Sequence, residues 1–274
     1  MSLDPDELVP AEVPRGPGRL RRLWRSYGVS ALLILFILVA WEVGLRVAHT
    51  PKYLLPVPSE IYTSLKVDWV PYLRPGLVAT SIEMVLGFFA SAVVGIGLAI
   101  LLHLVTPLRR ALYPLLISSQ TIPIIVVAPI IVILLNFGIA PKILIVALIC
   151  FFPVAVNGLD GLRTVDDDFI HMMRTLDASR WAIFRRVEFP AALPAIFSGL
   201  RVAATFAAIG AVFAEYAGSN QGLGYVMQES TANLATDRIF AAIFLLTLAA
   251  IALFGIVSLL ERWLVPWAPK GNAM

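Results

Sequence analysis

The sequence predicts an all-α integral membrane protein: one bundle of six transmembrane helices, interrupted by a charged cytoplasmic hairpin. Three observations predict it. The 274 residues are 59% hydrophobic and only 14% charged, with a mean hydropathy of +0.86, well above the roughly half-apolar composition of soluble domains. Uncharged runs close to the ~20 residues that a bilayer requires recur along the chain. The charge that is present gathers in one island, Asp160 to Leu193, which holds six acids and five arginines. Such a segment cannot sit in lipid, so it stands in water between two spans.

Residues 1–27 are polar and carry Pro5, Pro10, Pro14 and Pro17, which predicts a disordered cytoplasmic tail. Arg21, Arg22 and Arg25 precede an apolar run that continues to about Ala48 without a small-x-small cleavage site. An uncleaved first span is therefore expected. Six spans are expected at 28–48, 77–103, 113–135, 142–159, 194–216 and 239–264. Together they make a membrane domain over 28–268 and leave 269–274 as a C-terminal tail. Between the first two, Ser59 is placed to cap a short amphipathic helix lying at the outer surface.

The second span carries Gly87, Ser91, Gly95 and Ala99 at four-residue intervals, a stripe that lets two helix backbones approach closely. Glu83, in its outer third, is either a pathway residue or an acid reaching water near the headgroups. The third span contains Ser118, Ser119, Gln120 and Thr121, then Pro123 and Pro129. That composition is tolerated where a helix faces protein or water, so the span is either a pathway helix or a kinked structural one. Asn157, near the inner mouth of the fourth span, serves a gate or an interhelix hydrogen bond. In the fifth span, Arg201 lies close enough to the inner surface to snorkel. Glu215 and Tyr216 precede Gly218, Gly222 and Gly224. Glu215 is either a functional intramembrane acid or an interface-level acid bonded to the glycine loop. The candidate pathway set is Gln120, Thr121, Pro123, Asn157, Glu215 and Tyr216.

Orientation follows from lysine and arginine, which are enriched on the cytoplasmic side. With the N-terminus inside, the inner segments hold Arg15, Arg19, Arg21, Arg22, Arg25, Arg109 and Arg110, the five arginines of the island, Arg262 and Lys270. The outer segments hold only Lys52, Lys66, Arg74, Lys142 and Arg238. Both termini and the island are thus expected in the cytoplasm. Within the island, Thr164 is placed to cap a helix with Asp166, Asp167 and Asp168 in its first turn. Phe169, Met172, Met173 and Leu176 fall on one face of that helix. Asp177 or Ser179 is placed to cap a second short helix with Trp181, Phe184 and Val187 on its apolar side. Pro190 and Pro194 are expected to end the island and open the next span.

Several chemistries are excluded. A phosphate cradle needs G-x-x-x-x-G-K-[ST], yet none of Lys52, Lys66, Lys142 and Lys270 is followed by Ser or Thr. His49, His103 and His171 lie on different segments and on no metal-ligand spacing. No G-x-S-x-G or Cys/His arrangement suggests a nucleophile. The single cysteine, Cys150, lies in an apolar run and reads as packing. A net charge of +3 gives no footprint for nucleic acid.

The island resembles the cytoplasmic coupling loop of ABC importer permeases, in the branch that handles nitrate, sulfonates, taurine and pyrimidine-type thiamine precursors. The family pattern is Glu-Ala-Ala, three residues, Gly, nine residues, Ile-x-Leu-Pro. Its end is present as Val187-Glu188-Phe189-Pro190, and the usual Leu-Gly-Ala-Ser segment as Leu176-Asp177-Ala178-Ser179. His171, Met172 and Met173 stand where the family has Glu-Ala-Ala, and Asp177 replaces the glycine. The likeness covers most of the chain after about residue 50. It includes Leu55-Pro56-Val57-Pro58-Ser59, Phe137-Gly138, and an acid before a Gly-Leu-Gly turn.

The resemblance implies a type I ABC importer-like bundle with a cytoplasmic coupling helix, in a bacterial inner membrane. It implies a non-catalytic subunit that forms a homodimer with the pathway at the subunit interface. Two ATP-binding subunits would use ATP and Mg, and an extracytoplasmic binding protein would deliver the substrate. Asp177, Ala178, Ser179, Arg180, Trp181, Phe184 and Pro190 are the implied coupling residues, with the two aromatics in a groove of the ATPase. The segment from Ala214 to Phe244 looks most like permeases for pyrimidine-type thiamine precursors or riboflavin. Nitrate, sulfonate and taurine permeases remain the alternative. A stand-alone ion-coupled carrier or membrane enzyme, using the acids as proton relays, is the reading from another class; it leaves the amphipathic hairpin without a partner.

Overall fold

The computed structural model describes residues 19–267, and within them the regular elements are all helical. Residues 1–18 of the expected tail and the C-terminal 268–274 lie outside the described residues. Five helical segments are long and apolar enough to cross a membrane: Gly28–Val47, Trp69–Leu104, Ile139–Leu162, Arg180–Gly218 and Thr236–Leu264.

The first is the apolar part of α1 (Arg19–Val47), so the helix begins inside the stretch expected as tail. From Gly28 onward α1 stands beside the bundle with its apolar side chains exposed, touching it where Trp41 meets the edge of Phe240. Its C-terminal end is tied to α2 (Pro58–Val67). There Glu42 accepts hydrogen bonds from the Ser59 amide (3.0 Å) and hydroxyl (2.8 Å). Ser59 is therefore not the cap of α2. That position belongs to Val57, whose amide donates to Glu60.

The core is made by α3 (Arg74–Leu104), α6 (Ile139–Leu162) and α9 (Phe189–Gly218). Their close approach explains the small-residue stripe. A Cβ at Gly87 would come within 2.4 Å of the Val146 Cβ, and one at Gly95 within 2.9 Å of Val154. Gly199 admits the Pro153 carbonyl of α6 in the same way. Around this contact lie Met84, Val154, Ala203, Ala207 and Ala211, all buried. Arg201 pairs with Glu261 of α11 (Thr236–Leu264), with its side chain still about a third exposed.

The expected third span is not one helix. α4 (Thr106–Ser119) and α5 (Ile124–Leu135) meet at 101°. Gln120 and Thr121 occupy the break, and Pro123 is the N-cap of α5. Pro123 has no N–H to continue the ladder, and it disfavours helical backbone at the residue before it. The hydroxyls of Ser119 and Thr121 donate to carbonyls three residues back, satisfying groups that the break exposes.

The island forms α7 (Asp167–Thr175) and then α8 (Arg180–Ile183). The cap of α7 is Asp166, whose carboxylate accepts from the Asp168 amide at 2.9 Å. Thr164 instead donates to the Asp160 carbonyl. At the other end, the Asp177 amide donates to Arg174 and the Ala178 amide to Met173, the paired bonds of a Schellman stop. Asp177 is the left-handed residue of that stop, with φ +55°, at the place where the family pattern has glycine. Asp177→Gly should therefore stabilise α7 by about 1 kcal/mol through relief of the left-handed penalty. Slower hydrogen exchange over 167–176 would register it; unchanged or faster exchange would refute it.

Ser179 caps α8 by accepting from the Ala182 amide. α8 is no separate hairpin arm, because a widened π turn (Phe184–Glu188) carries it directly into α9. In a regular helix the ring of Pro190 would press on the Arg186 carbonyl, and the wider turn relieves this. Pro190 thus opens α9 from its first turn, as expected, without ending the helix that enters from α8, and Pro194 lies inside α9.

Candidate functional site

Three places collect the residues singled out by sequence. The first is a cavity of about 1040 Å³ inside the bend of α4 and α5. Gln120 and Pro123 line it from the bend, and Asn157 from α6. The rest of the wall is apolar and aromatic, including Phe151, Phe152, Phe206 and Phe213. No charged side chain lines it among the described residues. The Asn157 Nδ2 donates to the Pro153 carbonyl at 2.7 Å, which leaves its side-chain oxygen as an acceptor. Three of the six pathway candidates are thus brought together. Thr121 and Tyr216 are exposed but do not line this cavity. The four phenylalanines were missed, because apolar residues within an apolar span carry no distinguishing pattern.

The second place lies toward the other end of α3 and α9. Glu215 is fully buried. Its carboxylate accepts from the Thr80 hydroxyl at 2.6 Å and from the amides of Gly224 and Tyr225, in the first turn of α10 (Leu223–Ala232). Thr80 accepts in turn from the Leu223 amide at 2.8 Å. The expectation that Glu215 faces an aqueous route is therefore corrected: it is the acid bonded to the glycine loop. Gly222 has φ +117°, and a Cβ there would fall 2.1 Å from the Glu215 carboxyl carbon. The glycine is required both by the backbone conformation and by the carboxylate packed against it.

Glu83 is equally enclosed. Its Oε1 accepts from the Lys142 Nζ at 2.7 Å, with the carboxylate side chain 3% exposed. Its other oxygen, Oε2, is buried without a hydrogen-bond partner among the described residues. Lys142, counted by sequence among outer loops, belongs to the first turn of α6 and is buried. The signal was present as one acid and one base near the ends of two spans. Glu83 and Lys142 also border a cavity of about 670 Å³, with Phe137 and Gly218.

The third place is the arginine-rich end. Phe184 is only 5% exposed, packed with Leu102, Leu159, Leu162 and Ile196. The expectation that it inserts into a partner is corrected by that burial. Trp181 stacks on it at 5.3 Å between ring centroids but remains 61% exposed. Arg180 donates to the Leu104 carbonyl and His103 pairs with Glu188 at 2.9 Å, tying this segment to the end of α3. Ala178 and Pro190 are half-buried, while Asp177 and Ser179 are exposed. On α7, Phe169 and Met172 are about half exposed, and Leu176 beyond its end is 71% exposed. The unpartnered apolar surface is therefore Phe169, Met172, Leu176 and Trp181, largely on α7 and at the loop that follows it.

Comparison with known proteins places this geometry. The family model for the binding-protein-dependent transport system inner membrane component matches residues 91–268. The formylaminopyrimidine transport permease protein ThiX of Halalkalibacterium halodurans is 36% identical over 248 residues, covering 90% of this chain and 99% of that protein. The riboflavin transport system permease protein RibX of Chloroflexus aurantiacus is 33% identical over 259 residues, covering 93% and 95%. The putative aliphatic sulfonates transport permease protein SsuC of Bacillus subtilis is 32% identical over 256 residues, covering 93% and 92%. In fold, the chain is similar to an inward-facing structure of the MetNI methionine ABC transporter, with a TM-score of 0.58 at 18% identity over 70% of this chain and 97% of that one. The bundle is that of a type I ABC importer permease. The chain has the role of a transport subunit that leaves ATP hydrolysis to a separate ATPase and receives substrate from a binding protein. It belongs to the binding-protein-dependent transport system inner membrane component family, as a multi-pass ABC importer permease subunit.

Proposed function

We propose that this permease moves a small, uncharged heteroaromatic molecule inward, of the pyrimidine-precursor or flavin kind, by alternating access at the interface of a homodimer. The observation that carries the substrate class is the wall of the bend cavity. Aromatic faces with two amide side chains, Gln120 and Asn157, suit a flat ring with a few donors and acceptors. A sulfonate or nitrate ion would call for a cationic partner, which this wall does not offer. Similarity to ThiX and RibX points the same way, while similarity to SsuC keeps the sulfonate alternative in the test. The exposed apolar α1 and the open side of the bend supply surface for the second copy. Two ATPase subunits act on the α7 surface, and both termini and the island face the cytoplasm, a reading that the arginine distribution supports.

Thermal shift of the cognate binding protein against pyrimidines, flavins and sulfonates tests the substrate class. Stabilisation by an alkanesulfonate alone would replace the proposal with its alternative. In vesicles holding the permease, ATPase and binding protein, Gln120→Leu should reduce uptake about tenfold, the loss associated with one hydrogen bond to a substrate in a closed site. Complex assembly should be unaffected, and full uptake would remove Gln120 from the route. Orientation is checked with Cys150→Ala carrying a single cysteine at Lys52 or at Asp168. An impermeant thiol reagent on intact cells should label only the first, and the reverse pattern would invert the topology.

A further inference from the structure

Beneath α7 lies a second polar feature, which neither transport nor the exposed apolar surface explains. A cavity of about 410 Å³ opens between the ends of α3 and α6, the start of α4, and the α7–α8 segment. Arg109, Arg163, Arg174 and Arg180 line it, with His103 and His171. The carboxylate facing them, among the described side chains, is Glu188, and it is engaged by the His103 Nε2. Arg180 is partly satisfied by the Leu104 carbonyl. Arg109, Arg163 and Arg174 form no ion pair with any described side chain, and the His103 Nδ1 is buried without a partner. Guanidinium groups held at one cavity repel each other unless an anion joins them. Their planar donor forks match phosphate oxygens in pairs.

We propose that this cavity is an anion site that takes a phosphate group and fastens α7 to the membrane body. The arginines come from opposite sides: Arg109 and Arg163 from the ends of membrane helices, Arg174 from α7, and Arg180 from α8. One phosphate between them ties α7, which packs little against the rest of the bundle, to those helix ends. The group can come from a soluble phosphate compound or from a phospholipid headgroup, since the cavity lies where the spans leave the bilayer. Either occupant stiffens the segment that carries Phe169, Met172 and Leu176, and so sets how readily that surface is presented. The inference is independent of the transported substrate.

The test uses the full-length chain in nanodiscs, read by hydrogen exchange over 167–176. One arm titrates inorganic phosphate at constant ionic strength in phosphatidylcholine discs. The other replaces half of the phosphatidylcholine with phosphatidylglycerol, without added phosphate. Exchange should slow about fivefold or more in at least one arm, the low end of ordinary coupling between sites; the responding arm names the source. Arg163→Gln with Arg174→Gln should abolish the effect, and Arg186→Gln, an exposed arginine outside the cavity, should preserve it. No slowing in either arm would overturn the proposal. So would a response kept by the double variant, or one that chloride reproduces at matched ionic strength. Loss of phosphate or lipid binding once the ATPase is added would show that the cavity is reserved for that protein's own side chains, and would overturn it as well.

Discussion

Lys142→Met is expected to cost about 3–5 kcal/mol of folding stability, the usual result of removing one partner from a buried ion pair. Lys142 is the cation that the structure sets against Glu83 inside the bundle. Glu83 already has one carboxylate oxygen buried with no partner. Without the ammonium group, the enclosed Glu83 carboxylate loses its one recorded partner among the described residues. Adding Glu83→Gln removes the charge that Lys142 balances, so the double variant should recover most of the loss. Unfolding of the purified permease in increasing denaturant measures this directly. A single variant as stable as the wild type, or a double variant no better than the single, would mean that the pair does not hold α3 and α6 together.

The sequence carried the spans because hydropathy reports them without reference to neighbours. It carried the α3 stripe for the same reason: small residues every fourth position have one helical face and one use. The bend between α4 and α5 was half legible. Polar residues and prolines marked 118–129 as unusual, but the 101° turn depends on what packs around it. The periodicity that put Trp181 and Phe184 on one face was correct, yet it could not say that this helix runs on into α9. That continuity turns Phe184 into the core and leaves Trp181 at the edge. Glu215 and Glu83 show the same limit. A lone acid in a span reads as functional until its partner is found: for Glu215 the glycine turn just after it was legible but Thr80 of α3 was not, and for Glu83 the partner is a lysine in a different helix. Asp177 reads the other way round. A departure from the family glycine proves to keep the glycine's left-handed backbone, which aspartate adopts more readily than most residues.

Trp181→Ala should weaken association with the ATPase subunit about tenfold or more, as expected for an exposed aromatic anchor at a protein interface, while the permease remains folded. The structure sharpens this expectation by separating the two aromatics. Trp181 is largely in water and rests on Phe184 with one face. Phe184 is enclosed by residues of α3, α6 and α9, so Phe184→Ala should act through stability, at about 3–5 kcal/mol. Its effect on the ATPase should be secondary. Leu176, more exposed still, closes the apolar surface of α7, and Leu176→Asp should reproduce the Trp181→Ala defect. His171, also exposed, lies where the family places its acid, and His171→Ala should have the smaller effect. Co-purification of the ATPase and substrate-stimulated ATP hydrolysis in vesicles read the coupling; denaturant unfolding of the permease alone reads the fold. Should Trp181→Ala and Leu176→Asp both leave co-purification and hydrolysis intact, the ATPase grips another part of the island. Should Phe184→Ala lose the ATPase while unfolding normally, the buried position of that ring is not the one that matters during coupling.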